Sequence, residues 1–456
     1  SRAYFLLGHI EKCIDPFQQA MRFSDAASRK AYFLTTEGLE QLLAVGEALE
    51  TYRSNFSDAA DLYQLAIESV PDHPTLLNNL AVAHFNEAIY GKAIEYLRKV
   101  LLVDPSNVQA RTNLGVSLIM QDQSDEAIAE FQTALQYDPE FLAAAGWMLG
   151  EKNRICNWND LEALREKVGH LLERPGNKRS VNSFILLSNY DDPTKFLEWS
   201  RINSRENFAN LGVKNPPASG KGRQHDRIRL GYYSVDFRNH PVAHLTAPLF
   251  RLHDKSRFEV WVYSYGPEDG HPIRKRIKEG AEHFINLEGC SIQGMVERIR
   301  LDEIDILVDL SGNTRGSKIQ VLGHRPAPVQ IHWLGFIGSM GSPYYDYTIV
   351  DHFVAPEGSD KHFDEKLIRM PYCFQINDTA RPSTPEILTR QECHLPETAF
   401  IFADFNQSFK IQPEIFQAWV SILKSVPNSV LWLADGHPSY IRNIRTAWES
   451  AGLEAS

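Results

Sequence analysis

Hydrophobic and polar positions repeat along the first third of the chain with a period of 34 residues. The period is clearest in three sets of residues: Ala59, Ala93 and Ala127; Tyr63, Leu97 and Phe131; Pro71, Pro105 and Pro139. Small alanines let two helices approach closely, and a proline ends each unit because its ring cannot continue a helix. Each unit is therefore predicted to be a pair of helices that needs a neighbouring unit to cover its apolar face.

Thirty-four residues is the period of the tetratricopeptide repeat. We predict an α-solenoid over residues 1–150, with three well-matched repeats and a weaker one before them. Asn79 and Asn113 occupy equivalent places on the first helix of two repeats, the helix that faces the concave groove of such solenoids. An amide there can hold a peptide backbone by donating and accepting together, although simple solvation is the alternative. Repeats alone indicate partner binding and no chemistry.

The hydrophobic pattern changes at Arg227, after a helical connector and a polar linker that we assign to residues 151–226. Short β-branched and aromatic runs then alternate with helical stretches, which is typical of parallel strands buried on both faces. This pattern predicts a first Rossmann-like domain over residues 227–378. Two further strands, "AFIFADFN" and "SVLWLAD", begin a second such domain over 379–456, which we expect to be truncated.

Composition and charge narrow the function classes. The 456 residues carry a formal charge of −11, which argues against a nucleic-acid surface because phosphate binding needs concentrated Lys and Arg. The five cysteines are scattered without a CxxC pair, so neither a zinc ribbon nor a disulfide framework is indicated. No signal-peptide pattern and no run of eighteen apolar residues is found, although the chain starts without Met. We expect a cytoplasmic protein with no membrane partner.

Candidate chemistry lies in loops that follow strands, where open α/β sheets bind their ligands. In "DFRNHPVAHLTAPL" the strand ends near Val235, His240 lies at the entry of the next helix, and His244 lies one turn further. A neutral imidazole there could act as a base or polarise a phosphate oxygen. A structural role is the alternative. A metal site is disfavoured because no third ligand lies at suitable spacing.

Two more loops follow strands of the first α/β domain. Asp309 ends a strand before the turn "SGNT", where it could take part in chemistry or only cap the turn. In "WLGFIGSMGS", Gly335, Gly338 and Gly341 allow the backbone to approach a ligand. Their spacing is not that of G-x-G-x-x-G, so nicotinamide binding is not expected.

The second α/β domain contains "FADFNQSFKIQP", which places Asn406, Gln407 and Lys410 between a strand and a helix. Amides and a cation in that position can meet a phosphate ligand. The lysine could neutralise charge on a leaving phosphate in place of a metal. A solvated loop lysine is the alternative.

The repeats together with "CNW", "RIRLGYYSVDFRNHPVAH", "ILVDLSGNTRG", "RPAPVQIHWLGFIGSMG" and "FNQSFKIQP" resemble the O-GlcNAc transferase family. The resemblance implies a GT-B architecture of two Rossmann-like domains. It also implies metal-independent transfer of a sugar from a nucleotide donor to Ser or Thr hydroxyls, with inversion and without a cofactor. UDP-GlcNAc is the expected donor, and protein or peptide acceptors are the expected partners, held by the repeat groove. The short segment between "MPYCF" and "AFIFADFN" is similar to bacterial-type members.

The resemblance also implies roles for particular residues. His240 corresponds to a proposed base or acceptor-side residue and His244 lines the same site, whereas Gln407 and Lys410 would contact the nucleotide diphosphate. The loop near the acceptor would contain Asp309, Asn313 and Thr314. The solenoid residues Asn79 and Asn113 match the family's peptide-holding ladder.

Three alternatives stay open at this point. The donor could be GDP-fucose, as in SPINDLY-type relatives, or the chain could be a non-catalytic repeat scaffold with a degenerate α/β region. Transfer to small glycans is disfavoured because a peptide-binding solenoid has little use there. Donor-binding elements beyond the "VLWL" strand are not in this chain, so we expect a truncated or partly reported transferase.

Overall fold

A computed structural model describes residues 13–53, 56–174, 181, 183–208, 225–381 and 388–453. The chain divides into two compact units. The first consists of the described residues of Ser1–Glu50, Asn55–Asn177 and Ser383–Ser456, and the second of those of Thr51–Ser54 and Lys178–Pro382. No described helix is both long and apolar enough to cross a membrane.

The first unit begins with a series of helices. Their bounds are Ile14–Phe23 (α1), Ala26–Phe33 (α2), Thr36–Arg53 (α3), Phe56–Ile67 (α4), Pro74–Asn86 (α5), Tyr90–Val103 (α6), Val108–Ile119 (α7), Ser124–Tyr137 (α8), Leu142–Arg154 (α9) and Leu161–Leu172 (α10). The alanines and the large residues of the 34-residue period are buried where these helices pack. On α7, a Cβ on Gly115 would lie 2.4 Å from the Phe131 ring, so a side chain there would keep the helices apart. The predicted solenoid is confirmed.

The same unit contains a small parallel sheet. Strands Phe400–Asp404 (β8) and Ser429–Leu433 (β9) pair in register, with Phe402 opposite Leu431. Helix Pro413–Ser425 connects the strands, and helix Pro438–Ser450 follows β9. This sheet therefore groups with the repeat helices, whereas the four predicted domain ranges stay a prediction.

The second unit is a seven-stranded parallel sheet that follows helices Ser183–Leu187 (α11) and Pro193–Phe208 (α12). Its strands are Ile228–Ser234 (β1), Phe258–Ser264 (β2), His283–Asn286 (β3), Ile306–Asp309 (β4), Val329–His332 (β5), Tyr347–Asp351 (β6) and Lys366–Met370 (β7). Its helices are Pro241–Thr246 (α13), Leu249–Leu252 (α14), Pro272–Gly280 (α15), Ile292–Leu301 (α16) and Gln320–Gly323 (α17). The predicted parallel α/β fold is confirmed.

The order of the strands across this sheet places the candidate loops. The order is β3-β2-β1-β4-β5-β6-β7, so the chain leaves β1 toward one edge and returns to β4 on its other side. The reversal between β1 and β4 is a topological switch point, where such sheets open a crevice beyond their carboxyl ends. Tyr233 of β1 lies opposite Asp309 of β4. The loops that follow these two strands therefore begin side by side.

Candidate functional site

His240 caps the short helix α13. Its Nδ1 accepts a hydrogen bond from the backbone N–H of Val242 at 3.3 Å, and Pro241 occupies the first helical turn. The same Nδ1 lies 3.6 Å from Oδ1 of Asp236, a buried carboxyl that the sequence did not single out. His240 is thus placed at the helix entry that was predicted, beside an acidic side chain from four residues earlier in the loop.

The electrostatics of this pair follow from burial. Burial, together with Arg238 and His244, lowers the pKa of His240, so its imidazole is neutral near pH 7. Burial raises the pKa of Asp236 to about 6, although the Arg238 charge opposes this. In the tautomer whose Nδ1 accepts the bond from Val242, neutral His240 carries its proton on Nε2. In the other tautomer the proton on Nδ1 would face Asp236, and Nε2 would be free to act as a base.

His244 belongs to the same loop cluster. Its Nε2 lies 3.0 Å from Oδ1 of Asn239, and its ring meets the ring of His271 edge-on with 5.5 Å between centroids. The backbone N–H of Asn239 donates to Asp269 at 2.6 Å, which joins this loop to the loop before α15. Burial lowers the pKa of His244, and Arg381 and His271 add to this.

Asp309 lies at the carboxyl end of β4 and is 1% exposed. Its Oδ1 accepts the backbone N–H of Ser311 at 3.0 Å, and its Oδ2 accepts Gly312 N–H at 3.1 Å and the Tyr345 hydroxyl at 2.7 Å. Both carboxylate oxygens therefore already accept hydrogen bonds that stabilise the turn. This geometry favours the capping alternative over a role as a base.

The turn after Asp309 contains Asn313 and Thr314. Thr314 donates its hydroxyl to the Ser311 carbonyl at 2.9 Å and so also serves the turn. Asn313 is 8% exposed, and its Oδ1 accepts from Asn203 of α12 at 3.1 Å. Its Nδ2 has no hydrogen-bond partner among the described residues. Asn313 therefore keeps an unused donor next to the β1 loop region.

The glycine loop is packed against the chain itself. A Cβ on Gly335 would lie 2.0 Å from the Leu310 carbonyl oxygen, and one on Gly338, whose φ is +121°, would lie 2.9 Å from the Phe196 ring. A Cβ on Gly341 would lie 2.4 Å from the backbone nitrogen of Arg201. These contacts give the three glycines a role in packing, and their approach to a ligand stays a prediction.

In the first unit, Asn406, Gln407 and Lys410 follow β8 and are exposed. Lys410 Nζ donates to Asn406 Oδ1 at 3.3 Å, and Asn406 Nδ2 donates to Asp404 at 2.6 Å. Lys410 makes no ion pair within the described ranges, so its charge is open to solvent. The loop thus presents a cation and two amides at the carboxyl end of a parallel strand.

Of the two solenoid asparagines, Asn113 forms part of a small amide network. Asn113 Oδ1 accepts from Gln109 at 2.9 Å, and its Nδ2 donates to Asn78 at 3.2 Å. Asn79 and Asn113 are both half-buried. The partner across the repeat is therefore Asn78, the neighbour of the asparagine that the 34-residue spacing indicated.

Weak sequence signals exist for the site residues that the sequence analysis missed. Asp236 comes two residues after the end of β1 and four residues before His240. His271 precedes a proline as His240 does. In the described parts of the chain, no three His, Cys, Asp or Glu side chains converge in a way that could hold a metal ion.

Comparison with known proteins gives the chain relatives along most of its length. It is 35% identical over 298 residues, 61% of this chain, to the Arabidopsis thaliana protein named "Probable UDP-N-acetylglucosamine--peptide N-acetylglucosaminyltransferase SEC". It is 32% identical over 238 residues to the Arabidopsis protein of the same description named SPINDLY, half of this chain. It covers 30% and 25% of these two relatives, so it spans less than a third of their length.

A solved structure shares the fold. A mutant of the Thermobaculum terrenum O-GlcNAc transferase aligns over 94% of this chain and 73% of its own, with a TM-score of 0.56 and 23% identity. Tetratricopeptide profiles match residues 50–101 and 90–149. The predicted resemblance and the predicted fold class, repeats followed by α/β, are thereby confirmed.

The profile of glycosyl transferase family 41 matches residues 214–382 and 378–456, which is more than half of the chain and includes both sets of strand-end loops. On this match, the chain belongs to glycosyl transferase family 41.

Proposed function

We propose that the chain is part of an enzyme that transfers GlcNAc from UDP-GlcNAc to Ser or Thr hydroxyls of proteins, with inversion and without a metal ion. Membership of family 41 and the names of the relatives support this donor and this acceptor class. The observation that carries the proposal is the exposed loop after β8, where Lys410 forms no ion pair with any described residue.

On the donor side, Lys410 neutralises the charge that develops on the departing diphosphate. A preorganised cation at this point stabilises the leaving group in the transition state, which is the role that a metal ion plays in other transferases. Asn406 and Gln407 add neutral donors beside it, and amides suit phosphate or nucleotide oxygens. The bond that breaks joins the anomeric carbon to the diphosphate oxygen.

On the acceptor side, His240 takes the proton of the acceptor hydroxyl as its oxygen bonds to the anomeric carbon. This step needs the form in which Nδ1–H faces Asp236 and Nε2 is free to accept. The 3.6 Å separation between Nδ1 and Asp236 Oδ1 allows that form after a small ring movement. Asp309 then acts as a positioning residue, because its carboxylate holds the neighbouring turn.

The experiment is a transfer assay. The protein is incubated with an acceptor protein and either UDP-GlcNAc or GDP-fucose, in EDTA, and the products are read by mass spectrometry. An N-acetylhexosamine adduct on Ser or Thr is expected from UDP-GlcNAc. A deoxyhexose adduct formed only with GDP-fucose would mean that GDP-fucose, and not UDP-GlcNAc, is the donor. If neither nucleotide sugar gave an adduct, the non-catalytic scaffold would be favoured.

A further inference from the structure

The loop after β8 is bonded to the end of the solenoid. Ser408 lies between Gln407 and Lys410, and its hydroxyl donates to the backbone carbonyl of Arg154 at 2.5 Å. The Cys156 thiol donates in return to the Ser408 carbonyl, with 3.5 Å between sulfur and oxygen, and lies 4.0 Å from the Ile411 carbonyl. Both the hydroxyl and the carbonyl of Ser408 are thus hydrogen-bonded to the turn that follows α9.

That turn is itself fixed. The Arg154 guanidinium donates to Glu151 at 2.9 and 2.8 Å and to the Ser124 hydroxyl of α8 at 2.8 Å. Cys156 is 2% exposed and has a left-handed backbone with φ of +51°. Burial raises the pKa of its thiol to about 12, so the thiol keeps its proton and remains a donor at neutral pH.

The loop after β9 is anchored on the same helices. His437 Nε2–H donates to the Asp122 carbonyl at 2.7 Å, and the Ser439 hydroxyl donates to Asp125 at 3.0 Å. Arg442 forms an ion pair with Asp125, in which its Nη2 lies 3.0 and 2.9 Å from the two carboxylate oxygens. Both strand-end loops of the small sheet therefore rest on the last helices of the solenoid.

We propose that the turn at residues 153–157 sets the position of the loop that binds the donor nucleotide, so that Arg154 and Cys156 are positioning residues. This inference rests on the proposed function, because it takes the Lys410 loop to be the nucleotide loop. A binding loop loses affinity when its backbone is left free to move, since ordering it then opposes binding. The last repeat is accordingly part of the donor site as well as of the acceptor groove.

The test removes these bonds singly and measures binding of UDP by calorimetry. Ser408→Ala and Cys156→Ala are each expected to weaken UDP binding about two- to tenfold, the range for one lost hydrogen bond. Ser408→Thr keeps a hydroxyl and is expected to restore most of the affinity. Ser421→Ala is the matched control, because Ser421 is exposed and bonds only within its own helix, to the Gln417 carbonyl.

A second measurement does not depend on nucleotide. Amide hydrogen exchange over residues 405–412 is expected to be faster in both alanine variants, with exchange in the seven-stranded sheet unchanged. If UDP affinity and exchange in Ser408→Ala and Cys156→Ala match those of Ser421→Ala, the positioning role is overturned and the proposed function stands. If the unaltered protein binds no nucleotide, the proposed function fails, and so does the role of this turn in the donor site. Faster exchange in the two alanine variants would then show only that the turn anchors the loop structurally.

Discussion

Four histidines that precede a proline share one local structure. His73, His240, His271 and His437 each begin a helix, and in each the Nδ1 accepts a backbone N–H from two or three residues ahead, at 3.1 to 3.4 Å. Proline suits the first helical turn because its missing N–H would have no partner there. In this chain a His-Pro pair therefore marks a helix start, and capping alone is no evidence of catalysis. What distinguishes His240 is the buried Asp236 beside it.

Substitution at His240 separates capping from chemistry. His240→Asn keeps a side-chain acceptor for the helix, so its free energy of unfolding should stay near that of the unaltered protein, whereas His240→Ala should lose about 1 kcal/mol. Transfer should fall about 10²- to 10⁴-fold in both, because both lack the base. Denaturant unfolding and a transfer assay check this.

His73→Asn is the matched control, since it changes the same kind of cap on a solenoid helix and should leave transfer intact. Full transfer by His240→Asn would show that His240 only caps α13.

Asp236 gives the protein a pH-dependent stability. Its folded-state pKa of about 6 lies above its ordinary value of 3.8, so the folded protein holds this proton more tightly than the unfolded chain. The corresponding stability is fully present below about pH 4 and is lost as the pH rises through 6. Asp236→Asn stays uncharged, so its free energy of unfolding should fall less between pH 4 and 7, by about 2 kcal/mol.

Urea unfolding at several pH values measures this difference. The exposed Asp72, changed to Asn, should keep the pH dependence of the unaltered protein. An unchanged slope in Asp236→Asn would mean that the carboxyl is not desolvated as the structure indicates.

At the scale of elements, the glycine loop after β5 shows what the sequence could not predict. Three glycines in ten residues indicated space for a ligand, but the space above Gly335 is taken by the Leu310 carbonyl, which the fold brings there from the end of β4. Periodicity, by contrast, predicted the solenoid and the parallel strands well. The 34-residue period and the apolar runs indicate which positions of one helix or strand are buried. They do not indicate which atoms of different elements come into close contact.

Gly335→Ala tests this packing. A Cβ 2.0 Å from a carbonyl oxygen must displace backbone, so the free energy of unfolding should fall by about 1–3 kcal/mol. Gly91→Ala is the control, because its nearest atom would lie at 3.5 Å in a helix, where alanine should be neutral or stabilising by up to about 1 kcal/mol. Equal stability of the two variants in denaturant would contradict the close approach.

At the scale of the whole molecule, one feature of the first unit lay beyond sequence reasoning. The repeats and the β8 to β9 segment could each be predicted from their own patterns, but their contact joins residues far apart in the chain. The ring of Trp158 packs at a tilt of 55° against the buried Phe416, with 5.0 Å between ring centroids, and Ser408 bonds to Arg154 across 254 positions. The "CNW" motif contributed to the family resemblance. In the structure two of its residues, Cys156 and Trp158, contact the β8 to β9 segment.

Titration with UDP in the presence of EDTA tests whether Lys410 binds the phosphates of a nucleoside diphosphate. The protein should bind UDP, and Lys410→Ala should bind it at least about tenfold more weakly, because a charge-assisted contact to phosphate is lost. Lys424→Ala, which removes an exposed lysine from the following helix, should bind as the unaltered protein does. Equal UDP affinity of the Lys410→Ala and Lys424→Ala variants, or no binding of UDP at all, would contradict the account.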